Sequence, residues 1–190
     1  MPGRCAETML HHTLWQWRSR GEQDLWLFAY GSLIWKTEFT VAERRLASVY
    51  GHHRALKMWS RINRGTPEQP GLVFALLSGG SCQGMVLRVP AADVPCMLPA
   101  LWQREMPNPV YDPRWLRCRT DHGTVEALGF TLSRRSPNYT GELTPEQYRQ
   151  IFQCAQGRYG STLEYARLTY EHLLSLGIRD RALEQLLNLC

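Results

Sequence analysis

No stretch of the 190-residue sequence approaches the ~18 consecutive apolar residues of a membrane-spanning helix. The most apolar part of the N-terminal region, Met9 to Trp17, is interrupted by His11, His12 and Gln16, so no signal peptide is expected. Neither G-x-G-x-x-G nor G-x-x-x-x-G-K-[ST] occurs, which removes support for nucleotide binding. The six cysteines, at 5, 82, 96, 118, 154 and 190, include no C-x-x-C or C-x-C pair, and this spacing excludes zinc-ribbon and thioredoxin-type sites. Without a secretion signal they read as free thiols in a reducing compartment, so the expected location is cytoplasmic. His11-His12, His52-His53 and His122 lack partners at metal-ligand spacing, and no metal or cofactor is expected. There is no internal repeat, no low-complexity tract and no RNP-like aromatic strand. Gly79-Gly80-Ser81-Cys82 approaches a nucleophile elbow, but Gln83 stands where G-x-S-x-G needs glycine, and the segment reads as a turn.

The net charge of +5 comes from scattered Lys and Arg, whose densest clusters are pairs such as Arg44-Arg45 and Arg134-Arg135. That pattern describes a mildly basic solvated surface rather than a nucleic-acid footprint, and it suits an anionic small substrate equally well. The expected partner is therefore a small molecule, with no nucleic acid and no membrane; no signal specifies an oligomeric state.

What is present is ordinary globular material: 44% hydrophobic and 21% charged residues, enough for a core without disulfides or metal. Residues 1–23 are expected to form an N-terminal helical extension and residues 24–190 the main domain. A helix over residues 4–20 turns Leu10, Leu14 and Trp17 to one side. Asp24 to Tyr30 is a continuous apolar run of strand length, which predicts a strand buried on both faces or inside a barrel. Ala47 to Met58 reads as a strand with a bulge at Gly51. Residues 72–77 and 85–89 read as a hairpin turning at 78–81. Residues 91–105 read as a helix shortened or bent by Pro95 and Pro99, followed by strands over 111–119 and 124–132. The last third is helical: Thr144-Pro145-Glu146-Gln147 and Ser161-Thr162-Leu163-Glu164 are capping boxes. Leu163, Ala166, Tyr170, Leu173 and Leu174 share one face, Gly177-Ile178 stops that helix, and Asp180 caps a short final one. Strands do not alternate with helices, so the class is α+β, built on a small mixed β-barrel with one embedded helix and C-terminal helices.

Two features can carry chemistry. At Tyr30-Gly31-Ser32-Leu33 an apolar strand meets a Gly-Ser turn. Glycine there permits positive φ and close approach of a ligand, and successive N–H groups in such a turn form an anion nest. Taken alone, a turn of this kind is more often an ordinary strand end. Glu105 closes an apolar helix among Trp102, Met106 and two prolines; desolvation there raises a carboxyl pKa toward that of a useful base. Taken alone, it is more often a surface helix-end Glu paired with Arg.

In order along the chain, Phe28-Ala29-Tyr30-Gly31-Ser32-Leu33-Ile34-Trp35-Lys36, Arg104-Glu105 with Tyr111, Asn138-Tyr139-Thr140-Gly141, and Gly160 to Tyr165 continuing through Leu176 to Asp180 resemble the ChaC-type γ-glutamylcyclotransferases. The resemblance covers about residues 25–187. It implies a cyclotransferase barrel with a pocket at its mouth and glutathione as substrate, split into 5-oxoproline and Cys-Gly. It further implies that the Tyr30–Leu33 turn holds the glutamyl α-carboxylate, that Glu105 is the general acid/base, and that Tyr139 contacts the glutamyl group. Other γ-glutamyl peptides or γ-glutamylamines, or a non-catalytic binding domain on the same fold, are the alternatives. Met106-Pro107-Asn108-Pro109 is more proline-rich than the family's glutathione-specific segment and is expected to line the leaving-group side of the pocket.

Overall fold

A computed structural model describes residues 5–190 of the chain. Helix α1 (Ala6–Ser19) precedes the first strand, β1 (Leu25–Ala29), whose residues are buried almost throughout. Two long strands follow, β2 (Glu43–Ser60) and β3 (Gly71–Val89), then helix α2 (Val94–Glu105) and the hairpin β4 (Asp112–Thr120) and β5 (Gly123–Thr131). Helices α3 (Pro145–Cys154), α4 (Thr162–Ser175) and α5 (Arg181–Leu187) complete the order.

The strands close a barrel in the order β1-β3-β2-β4-β5, with β1 antiparallel to β3 and parallel to β5. The α+β class and mixed barrel expected from the sequence are therefore present. The apolar run of β1 is explained by its position: it is hydrogen-bonded on both sides, and Leu27, Phe28 and Ala29 are at most 1% exposed.

One expectation is corrected. Residues 72–77 and 85–89 do not form a hairpin with each other; they are one strand, β3, paired along its length with β2. Gly79 and Gly80 take positive φ opposite Gly51, where the register shifts from Tyr50↔Ser81 to His52↔Ser78. Both strands bulge at one level, so glycines that read as a turn bend the ribbon instead of reversing it.

The C-terminal face of α4 is also rotated from the expected one. Thr162, Tyr165, Ala166, Thr169 and Leu173 are buried, whereas Leu174 is 47% exposed. The threonines enter the core because each is satisfied there. Thr162 Oγ1 accepts from Leu72 N at 2.8 Å, and Thr169 Oγ1 donates to Tyr165 O at 2.9 Å. The helix stops as predicted: Gly177 has positive φ and Ile178 N donates to Leu173 O at 2.9 Å. At the other end of the chain α1 packs on α2, with Trp102 Nε1 donating to Ala6 O at 2.8 Å and the buried Trp17 donating to Gln23 O.

Candidate active site

Helix α2 ends at Glu105 for a local reason. Pro107 cannot extend it, and Met106, 2% exposed, turns its side chain into the core while its N–H closes on Trp102 O at 2.7 Å. The stop leaves the Glu105 side chain 18% exposed against one end of the barrel. There it lines a cavity with Phe28, Tyr30, Gly31, Ser32, Leu33, Phe74, Tyr111, Phe130 and Tyr165. The cavity encloses about 30 Å³, and about 320 Å³ with its open mouth included. Burial raises the Glu105 pKa above the ordinary carboxylate range; the Arg104 guanidinium opposes this and Glu38 adds to it.

The chain leaves β1 at Tyr30 and enters a short 3-10 turn, Ser32–Ile34. The turn's hydrogen bonds are donated by Ile34, Trp35 and Lys36, so the N–H groups of Gly31, Ser32 and Leu33 lie outside its ladder. Gly31 has φ −134°, so the positive φ expected of it is not found. Its glycine identity follows from crowding instead: a Cβ there would lie 3.2 Å from Tyr165 Oη and 3.6 Å from Phe74 Cβ.

Two arginines fix this turn from opposite sides. Arg54, buried, donates from Nη1 to the carbonyls of Tyr30 and Gln83 at 3.0 Å and from Nε to Asp180 Oδ2 at 2.9 Å. The peptide bond is trans, so anchoring the Tyr30 carbonyl also sets the direction of the Gly31 N–H. Arg104 donates from Nη2 to Ser32 Oγ at 3.0 Å and from Nη1 to Lys36 O at 2.7 Å, and its Nε lies 3.2 Å from Glu105 Oε1. One guanidinium thus ties the turn to the carboxylate.

The tyrosines supply the rest of the wall. Tyr30 Oη donates to Phe130 O at 2.7 Å, and Tyr111 Oη to Phe74 O at 3.3 Å. Both phenols are held neutral, their pKa values pushed well up by burial and by nearby Glu105. The Tyr165 phenol, from α4, is also held neutral: burial pushes its pKa up, the Phe74 backbone opposes this and Glu105 adds to it.

Of the residues singled out from sequence, Tyr30, Gly31, Ser32, Leu33 and Glu105 meet at this cavity. Tyr139 is not among its lining. It bridges to Met58, its ring lies under Arg134, and its hydroxyl donates to Glu142 Oε1 at 3.4 Å. Residues 107–109 also stand apart from the cavity, with Pro107 and Asn108 exposed. Tyr165 was missed because the expected apolar face of α4 ran through Leu163 and Leu174; the signal was the Thr162/Tyr165/Thr169 spacing. A second cavity, about 460 Å³, shares Phe74 with the first, but its charged groups are already paired as Arg54–Asp180 and Lys57–Glu142.

Comparison with known proteins points to one family. A family model described as ChaC-like protein matches residues 25–190. The glutathione-specific gamma-glutamylcyclotransferase of Escherichia coli K12 is 33% identical over 167 residues, covering 87% of this chain and 72% of that protein. The rat glutathione-specific gamma-glutamylcyclotransferase 1 is 31% identical over 156 residues, covering 78% and 69%. The crystal structure of a yeast γ-glutamyl cyclotransferase specific to glutathione superposes with a TM-score of 0.78 at 19% identity, over 88% of this chain and 95% of that one, which establishes the shared fold. With the family match running from the first barrel strand to the last helix, the chain belongs to the ChaC-like family.

Proposed function

We propose that this chain is a γ-glutamylcyclotransferase that cleaves glutathione into 5-oxoproline and Cys-Gly. The observation that carries the reading is the enclosure of one carboxylate, Glu105, in the same small cavity as the Gly31–Leu33 turn. The relatives named glutathione-specific gamma-glutamylcyclotransferase support it.

A γ-glutamyl amide contains its own nucleophile, the α-amine. The Gly31, Ser32 and Leu33 N–H groups hold the α-carboxylate, which folds the glutamyl chain toward a near-attack ring. The free α-amine has a pKa near 8 and is mostly protonated at neutral pH. Glu105, as carboxylate, takes that proton; the amine attacks the γ-carbonyl carbon and closes the five-membered lactam. The bond to the cysteinyl nitrogen breaks as Glu105 returns that proton to it, and the proton that the ring nitrogen sheds on becoming the lactam N–H passes by the same carboxylate to the released amine, which leaves as an ammonium. No water is consumed. The Tyr165 hydroxyl lines the same cavity as Glu105 and burial keeps it protonated, so its proton serves the developing oxyanion. Tyr165→Phe keeps the ring and should lower kcat about 10²–10³-fold. The free state of all six cysteines fits action in a reducing compartment, the cytoplasm.

Reaction in ¹⁸O-labelled water tests the chemistry. Cyclisation yields unlabelled 5-oxoproline and Cys-Gly. Labelled glutamate would identify a hydrolase and contradict the proposal.

A further inference from the structure

The phenol ring of Tyr165 has a second neighbour outside the cavity. The Arg64 guanidinium carbon lies 4.8 Å from its centroid, while the hydroxyl end of the ring faces Gly31 inside. Arg64 is held firmly at its backbone. Its N–H donates to Ser60 Oγ at 3.0 Å, its carbonyl accepts from Thr162 Oγ1 at 3.3 Å, and a Cβ on Gly157 would lie 2.5 Å from its nitrogen. The side chain is half-buried and donates from Nη1 to Tyr159 O.

Among the described residues, Arg64 has no carboxylate at ion-pair distance; Glu164, which acts on it electrostatically, stays beyond that range. Its Nε and Nη2 edge carries no described hydrogen bond. Two other cations lie over the Tyr159 ring: Lys36, 5.1 Å from its centroid and already paired with Glu38 at 3.4 Å, and Arg158, 5.3 Å from it and so one aromatic ring further from Tyr165 than Arg64 is. A partly desolvated guanidinium with an open edge is poorly placed for stability and well placed to take an anion in bidentate fashion.

The spacing identifies the anion. With the γ-carbonyl by Tyr165 Oη, a leaving group extended along the tyrosine ring would head toward Arg64. Two extended residues span at most about 7 Å. The guanidinium lies over the ring, so its distance from the hydroxyl is at most the radius of the phenol plus the 4.8 Å gap, within that reach. Resting on the cyclotransferase reading above, we propose that Arg64 binds the C-terminal carboxylate of the leaving dipeptide. The site then reads a γ-glutamyl tripeptide with an anion at each end, the nest taking one and Arg64 the other. A γ-glutamylamine has no second carboxylate, and a γ-glutamyl dipeptide carries it one residue too near.

The test compares glutathione with its glycyl monoethyl ester, in which that carboxylate is neutral, for wild type, Arg64→Met and Arg64→Lys. Wild type should favour the acid by roughly 10–100-fold in kcat/KM, expressed mainly in KM. The acid-to-ester ratio should fall to near unity in Arg64→Met and be partly restored in Arg64→Lys. Wild type cleaving acid and ester equally well would overturn the inference without recourse to any variant. So would an Arg64→Met protein that loses activity but keeps the wild-type ratio, since that is the mark of a structural role. Absence of 5-oxoproline from both substrates with wild type is a different failure, removing the cyclotransferase reading itself.

Discussion

At the scale of single residues, Arg104 sets the balance at the site. Its side chain binds Ser32, reaches the Lys36 carbonyl and lies beside Glu105, so it touches both the turn and the carboxylate. The sign of its effect is definite. Burial raises the Glu105 pKa, and in the proposed mechanism the working form is the carboxylate, so activity should be lost as pH falls through the raised value. Arg104 holds that value down. Arg104→Met should therefore move the acid limb of the kcat/KM profile to higher pH, beyond the loss of rate from a loosened turn. An unmoved limb would show that Arg104 serves only the turn. The lack of a side chain at Gly31 matters through space alone. Gly31→Ala places a methyl group 3.2 Å from Tyr165 Oη and should lower kcat/KM about 10²-fold by displacing that hydroxyl. Steady-state kinetics with glutathione checks it, and a change below about twofold would contradict the crowding argument.

At the scale of elements, the sequence was legible where signals were local. The Thr144 box and the Asp180 cap each use a side chain three residues from the backbone group that it serves, the Gly177 stop closes on backbone bonds within five residues, and all are present. It was illegible where pairing at a distance decides. Gly79 and Gly80 have the composition of a turn, and only the facing Gly51 bulge makes them a bend in a continuous strand. The inward face of α4 depends on Thr162 and Thr169 finding partners in β3 and its own helix, which hydrophobic patterning does not count. That rotation carries Tyr165 into the cavity, while Tyr139, in the expected N-x-x-Y-x-G region, faces Glu142. Five of the six site residues expected from sequence meet at one cavity because four belong to one turn and Glu105 closes one helix.

At the scale of the molecule, the barrel and the terminal helices are joined at the site by Arg54. It links the Tyr30 carbonyl on β1's exit, the Gln83 carbonyl on β3 and Asp180, whose other oxygen caps α5 by accepting from Leu183 N at 3.0 Å. The Arg54 and Asp180 side chains are 4% and 15% exposed, so removing one leaves the other uncompensated in low dielectric. Arg54→Met should cost about 3–5 kcal/mol in a denaturant titration. It should also raise KM through the freed Tyr30–Gly31 peptide. A loss below about 1 kcal/mol would place the pair among exposed bridges of little consequence.

The central claim is that a single buried carboxylate drives an intramolecular cyclisation. Purified wild type and Glu105→Gln, each with glutathione, should be compared by mass spectrometry of the products. The account predicts 5-oxoproline and Cys-Gly from the wild type and neither from the folded variant, which keeps the shape of Glu105 without its basicity. Near-wild-type turnover by Glu105→Gln would contradict it.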